Sequence, residues 1–149
     1  MNLSVSNNIK IVKTDDINAC LEIRRKVFID EQNVPSEIEI DDYDKSNSEC
    51  EHFLITDNGK NVGTFRLIYD KPEIAHMQRL CVLPEMRGKG CGYAAMSFLK
   101  EECKKRGNSK ITLGAQCHAI PFYESCGFVC VSDIFLDAGI EHRTMECVL

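Results

Sequence analysis

This sequence contains no long apolar run and no block of basic residues. No apolar stretch approaches the roughly 18 residues that cross a bilayer, and residues 1–8 lack the apolar core of a signal peptide. A formal net charge of −5 without a basic patch argues against binding to duplex nucleic acid. We therefore expect a cytoplasmic protein that has neither a membrane nor a nucleic acid as its partner.

Motifs for disulfides and metals are missing as well. The nine cysteines are odd in number, form no C-x-x-C pair and mostly lie in apolar segments. The four histidines show no short metal-ligand spacing. This pattern is typical of reduced cysteines that pack as small apolar side chains. We predict that the protein uses neither a disulfide nor a metal.

The most informative segment is a glycine-rich loop between an apolar strand ending at Leu83 and a helix beginning near Tyr93. Its residues are Arg87, Gly88, Lys89, Gly90, Cys91 and Gly92. Glycines let the backbone turn tightly, and the first N–H groups of a helix have no helical partner and attract anions. The two basic side chains add positive charge. The loop therefore predicts a ligand that carries a phosphate or pyrophosphate.

Two familiar nucleotide motifs fit this loop less well. The segment 90–95 satisfies the dinucleotide pattern G-x-G-x-x-G/A, but that pattern needs an acidic residue about 20 positions later to hold a ribose. Residues 111–116 contain no acid, which weakens the dinucleotide alternative. A Walker A loop does not fit, because no Gly-Lys-Ser/Thr follows a glycine at the required spacing.

Periodicity and turn residues predict the order of elements. Apolar patterning predicts strands at 8–13, 52–56, 62–69, 74–83, 111–115, 128–131 and 142–148. Helical spacing predicts helices at 17–30, 93–106 and 121–127. Asn58-Gly59 predicts a hairpin turn, and residues 30–50 form an acidic loop that can hold a short helix. We predict one α+β domain, a mixed sheet with helices on both faces.

Three motifs in this order of elements resemble the GNAT family of acyl-CoA-dependent N-acetyltransferases. Residues 79–92 are similar to the family's pyrophosphate motif, Q/R-x-x-G-x-G/A, and residues 122–128 look like its Y-x-x-x-G-F ending. The residues that resemble the ElaA/YjcF-like subgroup are 24–32, Glu39, Asp41, Asp44, 139–142 and Met145. The resemblance implies a single GNAT-like domain over 1–149, with a mostly antiparallel sheet of about six or seven strands.

The resemblance also implies an activity, namely transfer of an acetyl group from acetyl-CoA, a co-substrate, to a primary amine by direct attack in a ternary complex. The loop residues 87–92 would bind acetyl-CoA, and the main chain of Leu80, Cys81 and Val82 would stabilise the oxyanion. Gln116 stands where many family members have an asparagine that contacts the cofactor, and it is one methylene longer. A catalytically weak acyl-CoA-binding or sensing module on the same fold is the alternative.

By the same resemblance, Tyr123 is the general acid that protonates the departing thiolate, since phenols are protonated at neutral pH. The base stays open among Glu39, Asp41 and His142, because an ammonium group must lose a proton before it attacks. Seven acidic residues within 30–44 predict an acidic wall that attracts a cationic amine. We expect a small-molecule or peptide amine as the partner and leave a homodimer open.

Overall fold

One mixed sheet forms the centre of the molecule, in a computed structural model that describes residues 8–45 and 48–149. The segment 1–7, part of the stretch without a signal-peptide core, and residues 46 and 47 of the acidic loop lie outside the described residues. The strands are β1 (Ile9–Thr14), β2 (Glu51–Asp57), β3 (Lys60–Lys71), β4 (Ile74–Val82), β5 (Lys110–Gln116), β6 (Val129–Cys130), β7 (Phe135–Asp137) and β8 (Ile140–Val148).

The strands pair in the order β1-β2-β3-β4-β5-β8-β6, and β7 pairs with β8. Within the described ranges, β4 and β5 are parallel and every other pair is antiparallel. The mostly antiparallel α+β fold is thus confirmed. Over residues 8–45 and 48–149 the sheet has eight strands, where about six or seven were predicted. The additional strand is β7, which the sequence analysis missed because all three of its residues are exposed and show no alternation.

The described residues form four α-helices: α1 (Ile17–Arg24), α2 (Ser36–Glu39), α3 (Cys91–Lys105) and α4 (Ile120–Ser125). The helix predicted over 17–30 is confirmed in extent, but its second half, Arg25–Glu31, is wound as a π-helix. The acidic loop holds α2 and a 3₁₀ turn at Asp42–Asp44. Within the described residues, no helix is both long and apolar enough to cross a membrane.

The core has two parts, one on each face of the sheet. Along β2, Phe53 and Ile55 belong to a large cluster that includes residues of α3, whereas Leu54 belongs to a smaller cluster with Cys20 and Ile23 of α1. This alternation is what the period of two along a strand requires. The sheet therefore has helices on both faces, as the sequence predicts.

The predicted hairpin between β2 and β3 is confirmed. Asn58 and Gly59 both have positive φ, 52° and 81°. Two consecutive residues of positive φ give a tight turn whose twist matches that of the flanking strands.

Candidate functional site

The central cleft opens where β4 and β5 separate. Their parallel pairing runs from Ile74 beside Lys110 to Met77 beside Leu113 and then stops. β5 continues to Gln116 with β8 as its partner, while β4 continues to Val82 with only β3 beside it. The strands thus leave between them a cleft of about 980 Å³.

A β-bulge interrupts β4 at the edge of this cleft. Arg66 of β3 lies opposite Gln78, and Thr64 lies opposite Cys81. One residue of β3 therefore faces two residues of β4, Arg79 and Leu80. Arg79 has a φ of 60°, a left-handed conformation that costs about 1–3 kcal/mol for a residue with a side chain.

Packing shows the effect of the bulge on β4. Before it, Ala75 and Met77 face the large cluster, and after it Leu80 and Val82 do. Because of the extra residue, the side chains of β4 that face the large cluster have odd numbers before the bulge and even numbers after it. Leu80, Cys81 and Val82 all line the cleft, and no described strand pairs with their backbone on the β5 side. Backbone N–H groups of an interrupted strand edge can bind an oxyanion.

The glycine loop lies at one end of the same cleft. Gly88 and Gly90 have φ of 76° and 90°, which glycine adopts without strain. The first intrahelical bond of α3 runs from the Ala94 N–H to the Gly90 carbonyl (3.0 Å), so the N–H groups of residues 91–93 have no helical carbonyl to bind. The Arg87 N–H, by contrast, already donates to the Pro84 carbonyl at 3.3 Å. Lys89 is exposed and does not line the cleft.

Gly92 allows close contact between α3 and α4. A Cβ at this position would lie 2.9 Å from Cζ of Phe122, so a larger residue would push the two helices apart. Phe122 precedes Tyr123, and both line the cleft. The glycine of the loop therefore also sets the distance between the candidate phosphate site and the candidate acid.

Arg87 spans the cleft from the glycine loop to the end of the π-helix. Its two terminal nitrogens each donate to a carboxylate oxygen of Glu31 at 2.7 Å, and its Nε donates to the Val82 carbonyl at 3.2 Å. The hydrogen bonds from Arg87 lower the pKa of the Glu31 carboxyl. The guanidinium is therefore close to the loop but is held by a carboxylate.

Tyr123 lies on α4 with its ring in the large cluster and only 7% of its surface exposed. Its hydroxyl makes no hydrogen bond to any described residue, and the residue lines the cleft. Burial, and to a smaller extent the nearby thiols of Cys126 and Cys81, raise the pKa of the phenol. Tyr123 therefore holds its proton at neutral pH beside the bulged strand.

His142 projects from β8 into the cleft. Its Nδ1 lies 2.7 Å from the Ile140 carbonyl, and because a carbonyl only accepts, Nδ1 carries the proton in the neutral ring. The ring stacks on Phe135. Nε2 makes no hydrogen bond within the part of the chain that the structure describes, so its lone pair is available in the cleft.

The acidic candidates lie instead in a closed ring of alternating charges beside the bulge. Each of its three arginines contacts two carboxylates, and each carboxylate contacts two arginines. In order, the members of this charge ring are Arg24, Glu39, Arg79, Asp41, Arg66 and Asp44.

The contacts on one side of the charge ring involve Glu39. Its Oε2 accepts from Nε of Arg24 at 2.7 Å and lies 3.2 Å from Nε of Arg79. The second contact is an ion pair without a directed hydrogen bond, since this buried Nε has no hydrogen-bond partner among the described residues. Burial raises the pKa of the Glu39 carboxyl, although the arginines act in the opposite direction.

The contacts on the other side involve Asp41 and Asp44. Both oxygens of Asp41 accept from Arg66, at 2.8 and 2.7 Å, and Asp44 accepts from Arg24 at 2.6 Å. Burial acts to raise the pKa of Asp44, but hydrogen bonds from Arg24 and from the Asp41 N–H, together with the nearby arginine charges, hold it below its usual range.

The acidic wall expected from the sequence is therefore mostly neutralised. Glu39, Asp41 and Asp44 face three arginines, Glu31 faces Arg87, and the exposed Asp42 faces Lys45. These partners are not evident from the sequence around the carboxylates, because Arg66 and Arg79 come from distant strands. Of the two acidic base candidates, Glu39 lines the cleft and Asp41 does not.

Comparison with known proteins identifies the family. The sequence profile of the acetyltransferase (GNAT) domain matches residues 21–149. This chain belongs to the GNAT acetyltransferase family. It is 40% identical over 124 residues to the uncharacterized N-acetyltransferase YjcF of Bacillus subtilis. The aligned region covers 83% of this chain and 86% of YjcF.

Two solved structures share the fold. Escherichia coli ElaA superposes with a TM-score of 0.80 at 29% identity, covering 93% of this chain and 99% of ElaA. A GNAT acetyltransferase from Elizabethkingia anophelis, solved with acetyl-CoA bound, superposes with a TM-score of 0.67 at 15% identity, covering 97% of this chain and all of that one. The matches to YjcF and ElaA confirm the predicted subgroup resemblance.

In this GNAT domain Gln116, at the end of β5, pairs with a second glutamine across the cleft. Its Nε2 donates to Oε1 of Gln32 at 2.9 Å, and Nε2 of Gln32 donates back at 3.3 Å. Nε2 of His118 also lies 2.7 Å from Oε1 of Gln116. Gln116 lines the cleft, but its amide is already hydrogen-bonded, so a role in holding the cofactor stays a prediction.

The sequence analysis assigned no role to Arg66, which is 1% exposed in the middle of β3. The available indication was a charged residue between two apolar ones, Phe65 and Leu67, in a strand buried on both faces.

Within the described residues no three His, Cys, Asp or Glu side chains form a metal-binding group. The predicted independence from metals stays a prediction.

Proposed function

We propose that this protein transfers an acetyl group from acetyl-CoA to a primary amine of a small molecule or a peptide. The observation that carries the proposal is the content of one cleft. A glycine loop at a helix N-terminus, a bulged strand edge and a protonated tyrosine all line it. Acyl transfer from a thioester needs an anion site, an oxyanion site and an acid, and these features supply all three.

Acetyl-CoA would bind with its pyrophosphate on N–H groups of residues 88–92, since the Arg87 N–H already donates to the Pro84 carbonyl. The pantetheine arm would then run along the free edge of β4, toward the bulge. Support comes from the related Elizabethkingia protein, whose structure contains acetyl-CoA on the same fold. The cofactor's phosphates would compete with Glu31 for the guanidinium of Arg87.

The chemical step forms one bond and breaks another. The amine nitrogen attacks the thioester carbonyl carbon, and backbone N–H groups within Leu80 to Val82 stabilise the oxyanion. The C–S bond then breaks, the thiolate takes the proton of the Tyr123 phenol, and the new amide carries the acetyl group. The proton lost by the amine goes to a base, directly or through one water.

We propose His142 as that base. Its Nδ1–H is bound to a carbonyl, so Nε2 presents a lone pair to the cleft. By contrast, Glu39 and Asp41 are held by arginines of the charge ring. Oε2 of Glu39 is engaged by both Arg24 and Arg79, and Asp41 does not line the cleft, so His142 is the best placed of the three candidates.

Two measurements test the function. Thermal-shift titration should show stabilisation by acetyl-CoA and free CoA, because both bind the native state. A larger shift with NAD than with CoA would favour a dinucleotide site. Release of CoA thiol should then be followed against polyamines, aminosugars, amino acids and peptides. Tight binding of acetyl-CoA without turnover on any amine would instead favour an acyl-CoA-binding or sensing module.

A further inference from the structure

We infer that the charge ring positions the β4 bulge, so that Arg79 and the ring residues behind it act as positioning residues for the oxyanion site. The inference rests on the proposed transfer reaction. It gives these six side chains a role beyond neutralising one another. It also extends the functional unit from the cleft to Arg24, Arg66 and Asp44, which do not line it.

Two members of the ring act directly on the bulge. Arg79 is itself one of the two bulged residues, and its side chain reaches back to Glu39 and Asp41. Arg66 faces Gln78, the residue just before the bulge, and donates to Oε1 of Gln78 from Nε (3.0 Å) and Nη2 (2.7 Å). Ring contacts therefore hold the bulge at one of its own residues, Arg79, and at the residue before it, Gln78.

The rest of the ring fixes these two arginines to other parts of the fold. Asp44 bridges Arg66 to Arg24 of α1, and Nη2 of Arg24 also donates to the Glu39 carbonyl at 2.6 Å. Arg24, Arg66, Glu39 and Asp44 have side chains that are at most 4% exposed. Such buried, mutually bonded charges have few alternative arrangements, so the ring defines one geometry.

Because Arg79 has a positive φ, its backbone conformation needs side-chain contacts that hold it in place. A residue with a side chain leaves the left-handed region unless its surroundings hold it there. If the bulge relaxed, the register of Leu80, Cys81 and Val82 would change and their N–H groups would point elsewhere. Oxyanion stabilisation depends on donors that are already aimed at the developing charge.

The test uses Asp44→Asn, which removes one ring charge at a residue that does not line the cleft. The matched control is Asp42→Asn, two residues away, where the side chain is 94% exposed and pairs with the exposed Lys45. We expect Asp44→Asn to lower kcat at least about tenfold with little change in the KM for acetyl-CoA. The control should keep wild-type kcat.

A second readout does not depend on turnover. The backbone amide resonances of Leu80 and Cys81, recorded with CoA bound, should shift in Asp44→Asn and stay in place in Asp42→Asn. If wild-type protein transfers no acetyl group, the proposed function fails, and these resonances still report whether the ring controls the bulge. A folded Asp44→Asn variant with wild-type kcat, or with unmoved resonances, overturns the inference.

Arg79→Gly provides a variant that leaves every ring carboxylate with an arginine partner and so disturbs folding less. Glycine adopts the φ of 60° without strain, but it cannot contact Glu39 or Asp41. We expect a fall in kcat at unchanged CoA affinity, because the bulge loses its tether. Wild-type kcat in folded Arg79→Gly would show that the tether is not needed.

Discussion

Arg87 and Glu31 form a bidentate ion pair across the mouth of the cleft, with both N–O distances at 2.7 Å. The pair joins the glycine loop to the end of the π-helix, 56 positions apart in sequence. Both side chains are two-fifths or more exposed, so the pair is accessible to solvent and can exchange partners. An incoming pyrophosphate would meet Arg87 with its charge already compensated.

Glu31→Gln should therefore tighten acetyl-CoA binding. Removing the competing carboxylate frees Arg87 for phosphate, and exposed ion pairs contribute at most about 1 kcal/mol, which corresponds to about fivefold in Kd. Isothermal titration calorimetry measures this change. Glu22→Gln is the control, since it removes an exposed partner of Lys26 on the same helical segment. Weaker binding in Glu31→Gln would mean that Glu31 orients Arg87 for the cofactor.

Gly90→Asp should lower the affinity for acetyl-CoA at least about tenfold, because a negative side chain enters the phosphate site at the helix N-terminus. Gly59→Asp is a matched control. Gly59 also has positive φ, 81°, with open space around it, but it lies in the β2–β3 turn outside the cleft. Both variants should lose stability from backbone strain, and only Gly90→Asp should lose binding. Equal Kd values in the two variants would place the cofactor elsewhere.

Tyr123→Phe should lower the rate of acetyl transfer roughly 10²-fold or more, as expected when a positioned proton donor is lost. Only the hydroxyl is removed, and it has no partner among the described residues, so folding and CoA affinity should change little. The assay needs an amine for which chemistry limits turnover. Tyr69→Phe, a phenol outside the cleft, is the control. Full activity in Tyr123→Phe would show that Tyr123 packs in the core and is not the general acid.

His142→Asn should also lower kcat, by about 10²-fold, without a large loss of stability. The asparagine amide can replace Nδ1 as the donor to the Ile140 carbonyl, but it offers no basic nitrogen in place of Nε2. Added imidazole should restore part of the rate in the variant and leave wild-type activity unchanged. An unaltered kcat would contradict the role of His142 as the base and would favour Glu39 instead.

Asp44 should make stability depend on pH in the acid range. Its pKa in the folded state is below the ordinary value of 3.8, so the unfolded chain binds more protons as the pH falls. The contribution of this carboxylate is therefore present at neutral pH and is lost below about pH 4. Asp44→Asn should cost about 3 kcal/mol of unfolding free energy at neutral pH, and clearly less at pH 3.

Urea unfolding at both pH values measures that difference, with Asp42→Asn as the control. Glu51, whose pKa is also lowered by Arg106 and Lys13 against the effect of burial, adds acid sensitivity that both variants retain. The informative quantity is thus the difference between variant and wild type. A cost of Asp44→Asn that is the same at pH 3 and at neutral pH would contradict the assignment.

The local features of this fold can be predicted from sequence because they depend on neighbours along the chain. The glycine loop before α3 and the hairpin at Asn58-Gly59 follow from backbone conformations that few residues adopt. β7 was not predicted because it is short and exposed, and its pairing with β8 defines it as a strand.

What only the tertiary structure decided is which distant charges meet. The acidic residues of 30–44 are evident in the sequence, but their partners Arg66 and Arg79 lie on strands that follow the loop. The register of β3 against β4, with its bulge, brings these arginines to the carboxylates. By itself, the sequence determined most of the elements and the glycine loop, because short-range geometry specifies them. The charge ring and the available Nε2 of His142 depend on long-range packing, which no local pattern encodes.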